Sequence, residues 1–190
     1  CASLTFILQI AGFDVVSYNS ADQFLEQATD LRPGCVLLDV KMPGKSGLEL
    51  FCDIRRQGML LPVIFLSGHG DIEMAVQALH DGAFDFLVKP AEPERLIEKV
   101  QKAVEYGKKI RSQVQEQEEI KTLMARLTPS ELEVAQLMAK GLTVKAIAQL
   151  LKVSEQAIKA HRSSIYHKLD VINPVEVAGV VNDWLRSRKI

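Results

Sequence analysis

The sequence predicts an α/β domain built on an open, doubly wound parallel sheet, followed by a smaller all-helical module. Three observations carry this. Cys35-Val36-Leu37-Leu38, Pro62-Val63-Ile64-Phe65-Leu66 and Phe84-Asp85-Phe86-Leu87-Val88 are short, nearly continuous apolar runs of the kind that form buried strands. Helix-like segments separate them, the alternation that brings successive strands into parallel pairing. Beyond residue 126 the pattern changes to short helical segments, each opened by a capping residue.

The elements follow in order. Leu4-Thr5-Phe6-Ile7-Leu8-Gln9-Ile10-Ala11-Gly12 reads as the end of a first helix. The first apolar run ends on Asp39, ahead of Val40-Lys41-Met42-Pro43-Gly44; the second closes on Ser67-Gly68 and the third on Lys89-Pro90. In an open parallel sheet those C-terminal ends share one edge, where the ligand crevice lies. A carboxylate, a hydroxyl and an ammonium gathered there suit the acceptance of a phosphoryl group. Asp39 is an oxygen nucleophile ionised near neutral pH, and such transfers ask mostly for positioning and charge neutralisation. Singly, Asp39 is a turn or capping residue, Ser67 a turn residue and Lys89 a surface lysine. Their shared position at three strand ends makes the case. His69 and His80 read as surface or loop histidines, since neither has the partner spacing of a metal site.

From Glu92 to about Arg126 the chain is helical, with Leu96, Ile97, Val100 and Val104 forming an inward face. Past Gly107 it turns polar, keeping a thin stripe of Ile110, Val114, Leu123 and Leu127; a solvated linker helix and a short dimerising coiled coil both fit. The expected division is therefore 1–106, a linker helix over 107–126, and 127–190. In the last part Thr128, Pro129 and Glu131 make a capping box with proline at the first helical position. That helix ends at Lys140-Gly141. Thr143 opens a short second helix with Ile147, Ala148, Leu150 and Leu151 on its apolar face, and Val153-Ser154 is a tight turn. A third helix runs from Glu155 to about Leu169, and a fourth follows Asn173-Pro174. Short helix, brief turn and longer helix make a helix-turn-helix layout.

A length of 190 residues suits one or two domains, and 47% apolar with 25% charged residues is ordinary for soluble protein. No run approaches a membrane span and no signal peptide is visible, so no membrane partner is expected. Cys1, Cys35 and Cys52 lack paired spacing, which fits a reducing cytoplasm. The net charge of -1 conceals an asymmetry: residues 1–126 hold 14 Lys+Arg against 18 Asp+Glu, and residues 127–190 hold 9 against 6. The two parts should meet different partners.

Asp39, the loop Met42-Pro43-Gly44-Lys45-Ser46-Gly47, Ser67, Phe86 and Lys89-Pro90, in that order, resemble the receiver domain of two-component response regulators. The resemblance implies a flavodoxin-like sheet of order 2-1-3-4-5 and a phosphoryl group passed to Asp39 from a phosphohistidine of a sensor histidine kinase. It further implies that Ser67 bonds a phosphoryl oxygen, that Lys89 pairs with its charge, that Phe86 is the rotameric switch, and that Lys89-Pro90 is cis. Mg2+ would be held in part by Asp39 and the backbone carbonyl of Lys41. The family's first strand, with the acidic pair that holds the metal, does not occur in this sequence, which opens at Cys1 inside the first helix. A trimmed form is expected, with the metal site incomplete. A polypeptide of this sequence alone should bind magnesium and accept phosphate poorly.

Leu127-Thr128 with Glu131 and Glu133, Gly141-Leu142-Thr143 with Lys145, Ile147-Ala148, Val153-Ser154-Glu155, Ile158-Lys159-Ala160-His161, Ile165, Lys168-Leu169 and Val171 resemble the LuxR-type (NarL/FixJ) DNA-binding domain. Val144, Ala146 and Ala157 depart from residues common there, which leaves the operator open. In the third helix Ile158, Ile165 and Leu169 should face the core, with Gln156, Lys159, Ala160 and Ser163 on the other side. In a major groove Lys159 can donate to guanine, Ser163 can bond several base edges and Ala160 can meet a thymine methyl. His161, Arg162 and Lys168 would hold phosphates.

The whole then reads as a regulator, not an enzyme, that binds double-stranded DNA as a homodimer. RNA polymerase is a further partner, and activation rather than repression is the expected outcome. Two other classes fit the sequence less well. An aspartyl-phosphate hydrolase would place a second Asp two residues after its nucleophile, where this chain has Lys41. A regulator responding to a small ligand lacks an aromatic-rich pocket in the front half, since the sole tryptophan is Trp184.

Overall fold

The computed structural model describes residues 2–28, 34–68 and 72–188. The chain divides into two units, Cys1–Ser112 and Gln113–Ile190. In order the elements are α1 (Ala2–Ile10), α2 (Ala21–Gln27), β1 (Val36–Asp39), α3 (Gly47–Arg56), β2 (Val63–Ser67), α4 (Ile72–His80), β3 (Asp85–Val88) and α5 (Pro93–Met124). The second unit adds α6 (Pro129–Ala139), α7 (Val144–Leu151), α8 (Glu155–Leu169) and α9 (Pro174–Ser187).

In the first unit three parallel strands pair in the order β1-β2-β3, with Asp39 opposite Leu66 and Ser67 opposite Val88. All three apolar runs therefore became strands. Strand β2 is central and buried at every position, so both of its faces carry core residues. Val63 and Phe65 join Leu38, Leu50, Phe51 and Ile54 under α2, α3 and α4. Ile64 and Leu66 join Leu87, Leu8, Leu96, Val100 and Ala103 under α1 and α5. The described sheet holds three strands of the expected five-stranded order; residues 13–18 lie outside any strand, with Phe13 and Val15 packed against the second cluster. Burial pushes the Cys35 thiol up to about 11, the behaviour of a thiol used as a small hydrophobe.

The stretch read as a linker helix, 107–126, is in the structure largely the second half of α5. Its last turns belong to the second unit's core, where Ile120, Leu123 and Met124 pack with α6, α8 and α9. That core is built on Val134, Ala135, Ile147, Ile158, Ile165, Leu169, Val177 and Val181, each buried. The four helices start where their caps predict: Thr128, Thr143, Ser154 and Asn173 each accept a backbone N–H three residues on. His80 ends α4 and is exposed; His69 lies outside the described residues.

Candidate phosphoryl-acceptor site and nucleic-acid interface

Asp39 closes β1, and its carboxylate has two donors. The backbone N–H of Lys41 donates to Oδ1 at 3.2 Å, and the Lys89 ammonium donates to Oδ2. The partners are about one-third exposed, Asp39 36% and Lys89 41% by side chain, so the pair sits at a solvent-accessible edge. Parallel pairing aligns the strand ends: Val40 N–H donates to Leu66 O at 3.1 Å, and Lys89 N–H donates to Ser67 O at 2.8 Å. The Lys89-Pro90 peptide is cis, as the resemblance implied.

Ser67 differs from its neighbours. It is 0% exposed, and its hydroxyl has no hydrogen-bond partner among the described residues. A buried hydroxyl left unsatisfied costs roughly 1–3 kcal/mol, so its position at this strand end calls for an explanation. Phe86 is half-buried and packs with Phe65 and its neighbours. The loop after β1 is fixed from the side of α3. Ser46 and Glu49 form a reciprocal capping box, and Lys45 donates to Asp53 Oδ2 at 2.7 Å. That bond holds the Lys45 ammonium above, and the Asp53 carboxyl below, their ordinary values.

In the second unit, α8 presents the expected face. Gln156, Lys159, Ala160 and Ser163 are exposed, while Ile158, Ile165 and Leu169 are buried. His167, not anticipated, is exposed and extends the same stripe by one turn. His161 and Arg162 are half-buried, with the Arg162 guanidinium 6.0 Å from the Tyr166 ring. Lys145, on the first helix of the motif, and Lys152, in its turn, are also exposed. Neither they nor Lys159 have a carboxylate in ion-pair range among the described residues. Lys168 departs from the expectation: its ammonium donates to Glu131 Oε2 at 2.6 Å.

These two assemblies have clear relatives. A family model described as the response regulator receiver domain matches residues 1–101, and one described as bacterial regulatory proteins, luxR family, matches residues 125–181. The chain is a two-component response regulator. It is 38% identical over 167 residues to the transcriptional regulatory protein TdiR of Thauera aromatica, covering 88% of this chain and 74% of TdiR. It is 34% identical over 187 residues to the transcriptional regulatory protein FixJ of Bradyrhizobium diazoefficiens, covering 95% and 91%. The solved structure of the response regulator StyR superposes with a TM-score of 0.88 at 34% identity, covering 95% of this chain and 91% of StyR.

The regulator thus pairs a receiver, which implies a phosphodonor histidine kinase, with a LuxR-type domain, which implies DNA binding. Its family is one of transcription regulators, not an enzyme class. Among the described residues no helix is long and apolar enough to cross a membrane. Receiver domains generally bind Mg2+ at the phosphorylation site. In the described residues no three His, Cys, Asp or Glu side chains gather to hold a metal, and both Asp39 oxygens already accept hydrogen bonds. One carboxylate and the Lys41 carbonyl do not make an octahedral oxygen cage, so the described residues do not by themselves fit the ion.

Proposed function

We propose that Asp39 is the phosphoacceptor and that its phosphorylation controls sequence-specific DNA binding through α8. The buried hydroxyl of Ser67 carries this reading. In the sheet it lies one residue beyond the level of Asp39 and one short of Lys89, and a phosphoryl oxygen on Asp39 would satisfy it. In the transfer a carboxylate oxygen of Asp39 attacks phosphorus and a P–O bond forms. The P–N bond of the kinase phosphohistidine breaks, and the released imidazole nitrogen takes a proton from water. Lys89 then turns its charge from the carboxylate to the phosphoryl oxygens. Phe86, half-buried beside Phe65, is the side chain that follows Ser67 inward and changes the surface near β3.

At the DNA, Gln156, Lys159, Ala160 and Ser163 read base edges, and His161, Arg162, Lys145 and Lys152 hold phosphates. Two copies place two reading helices on paired half-sites. The exposed Ile172 and Val175, 84% and 79% accessible beside the start of α9, are apolar surface that a second copy would cover. Residues 1–106 act as the receiver and 127–190 as the DNA-binding module of a cytoplasmic activator that recruits RNA polymerase.

The test uses protein expressed from its own gene. Acetyl phosphate should label it, and Asp39→Asn should abolish the label. The label should also raise affinity for a duplex that the protein itself selects from a randomised pool. Equal labelling of Asp39→Asn, or equal DNA binding by the two proteins under phosphorylating conditions, would refute the proposal. Lys159→Ala is expected to weaken DNA binding and to lower the slope of log K against log salt by about 0.9, the loss of one phosphate or groove cation. A salt titration showing an unchanged slope and affinity would remove Lys159 from the interface.

A further inference from the structure

We infer that Glu131 is the positioning residue for the DNA-reading helix, and that Lys168 serves Glu131 rather than the DNA backbone. The inference rests on α8 being the helix that reads DNA, and adds how its rotation is fixed.

Glu131 lies in the first turn of α6 and is 5% exposed. Its Oε2 accepts the Thr128 N–H at 2.7 Å, which completes the capping box. Capping needs nothing more. Yet Ser164 Oγ donates to Oε1 at 2.6 Å and Lys168 Nζ donates to Oε2 at 2.6 Å, both from α8. Ser164 and Lys168 are four residues apart and so stack on one side of that helix. They lie between the buried Ile165 and Leu169 and the exposed stripe of Gln156, Lys159, Ala160 and Ser163.

Apolar contacts decide which face of α8 is buried but tolerate some rotation about the helix axis. Short charge-assisted hydrogen bonds are directional and do not. Two of them reach α8 from a single carboxylate anchored at the end of another helix. They fix the angle at which the adjoining stripe meets the groove. The same geometry commits the charge of Lys168. Drawing its ammonium away to a phosphate would leave Glu131 buried and uncompensated, a strongly unfavourable state.

The experiment measures affinity across salt concentrations for the duplex selected by the unmodified protein and for a shuffled duplex of equal composition. Ser164→Ala removes one directional bond and keeps the ion pair, so it folds; Trp184 fluorescence on heating checks this in every variant. Ser164→Ala and Glu131→Gln should lower the ratio of selected to shuffled affinity about tenfold, the value of one charge-assisted bond. On the shuffled duplex Glu131→Gln should hold or gain affinity, with a salt slope steeper by up to about 0.9 as Lys168 is released. Lys168→Met should leave that slope as it was, unlike Lys159→Ala. The proposal is overturned if Lys168→Met flattens the slope on both duplexes, or if the affinity ratio survives in both Ser164→Ala and Glu131→Gln. Failure of the unmodified protein to enrich any duplex would overturn the DNA reading beneath it.

Discussion

Gly47→Ala is expected to destabilise the receiver by about 3 kcal/mol or more, at the upper end for overpacking, and to remove phosphoryl acceptance with it. Gly47 is the first residue of α3, and its N–H donates to Val40 O at 3.1 Å, which draws the helix onto the end of β1. A Cβ there would stand 2.1 Å from the Asp39 carbonyl oxygen, 3.0 Å from its carbonyl carbon and 3.2 Å from the Val40 Cα. All three are backbone atoms at the end of the strand that carries Asp39, so no rotamer relieves the overlap. Either β1 or α3 must shift, and both position Asp39. Gly44, in the same loop, is the control. Its φ of +76° makes alanine strained, but nothing lies within 4 Å of the added carbon. Gly44→Ala should therefore cost only about 1–2 kcal/mol and keep the label. Urea unfolding and acetyl phosphate labelling, both on protein expressed from its own gene, compare the two. A Gly47→Ala protein within 1 kcal/mol of the unmodified one would show that the approach of α3 to β1 is not obligatory.

Acidification should strip the helical domain of a comparable amount. Burial alone would raise the Glu131 carboxyl. The hydrogen bonds from Lys168, Ser164 and Thr128 outweigh that and hold it down to about 2, against an ordinary 4.5. A carboxyl with a depressed folded value adds stability that is fully present above the unfolded value and is lost as pH falls through the folded one. Glu131 should thus contribute about 3 kcal/mol at neutral pH, with about half of it gone by pH 3. Trp184 reports this domain alone, since it is the only tryptophan in the chain and packs in the helical core. The stability difference between the unmodified protein and Glu131→Gln, followed by Trp184 emission, should shrink between pH 4.5 and pH 2. A difference that stays constant over that window would mean that the carboxylate is not held by its partners as the geometry has it.

Much of the architecture was legible in residue order. Three apolar runs became β1, β2 and β3, and the four caps opened the helices of the second unit where they were expected. The exposed stripe of α8 followed from its helical period, because a side chain's azimuth on a helix is fixed by its position. Lys168 shows where such reasoning stops. Its azimuth placed it near the edge of the DNA face, but its partner stands 37 residues earlier in the chain, on another helix. Gly47 was visible only as part of a loop motif. That its hydrogen atom faces the Asp39 carbonyl depends on how closely α3 seats on β1. The linker stretch was legible as helix, whereas the burial of Met124 depended on the partners α6, α8 and α9 that fold over it.

The sequence by itself determined the two-part organisation, the order of the elements, and the residue types available at the strand ends and along α8. Those properties are local: periodicity, capping and turn chemistry act within a few residues. Tertiary structure alone decided that Ser67 is sealed with no partner among the described residues, that Lys89 meets Asp39 across 50 residues, and that Glu131 takes Lys168 and Ser164 for itself. Burial and long-range pairing depend on which surfaces close on one another, and hydrogen-bond satisfaction is settled only once they have.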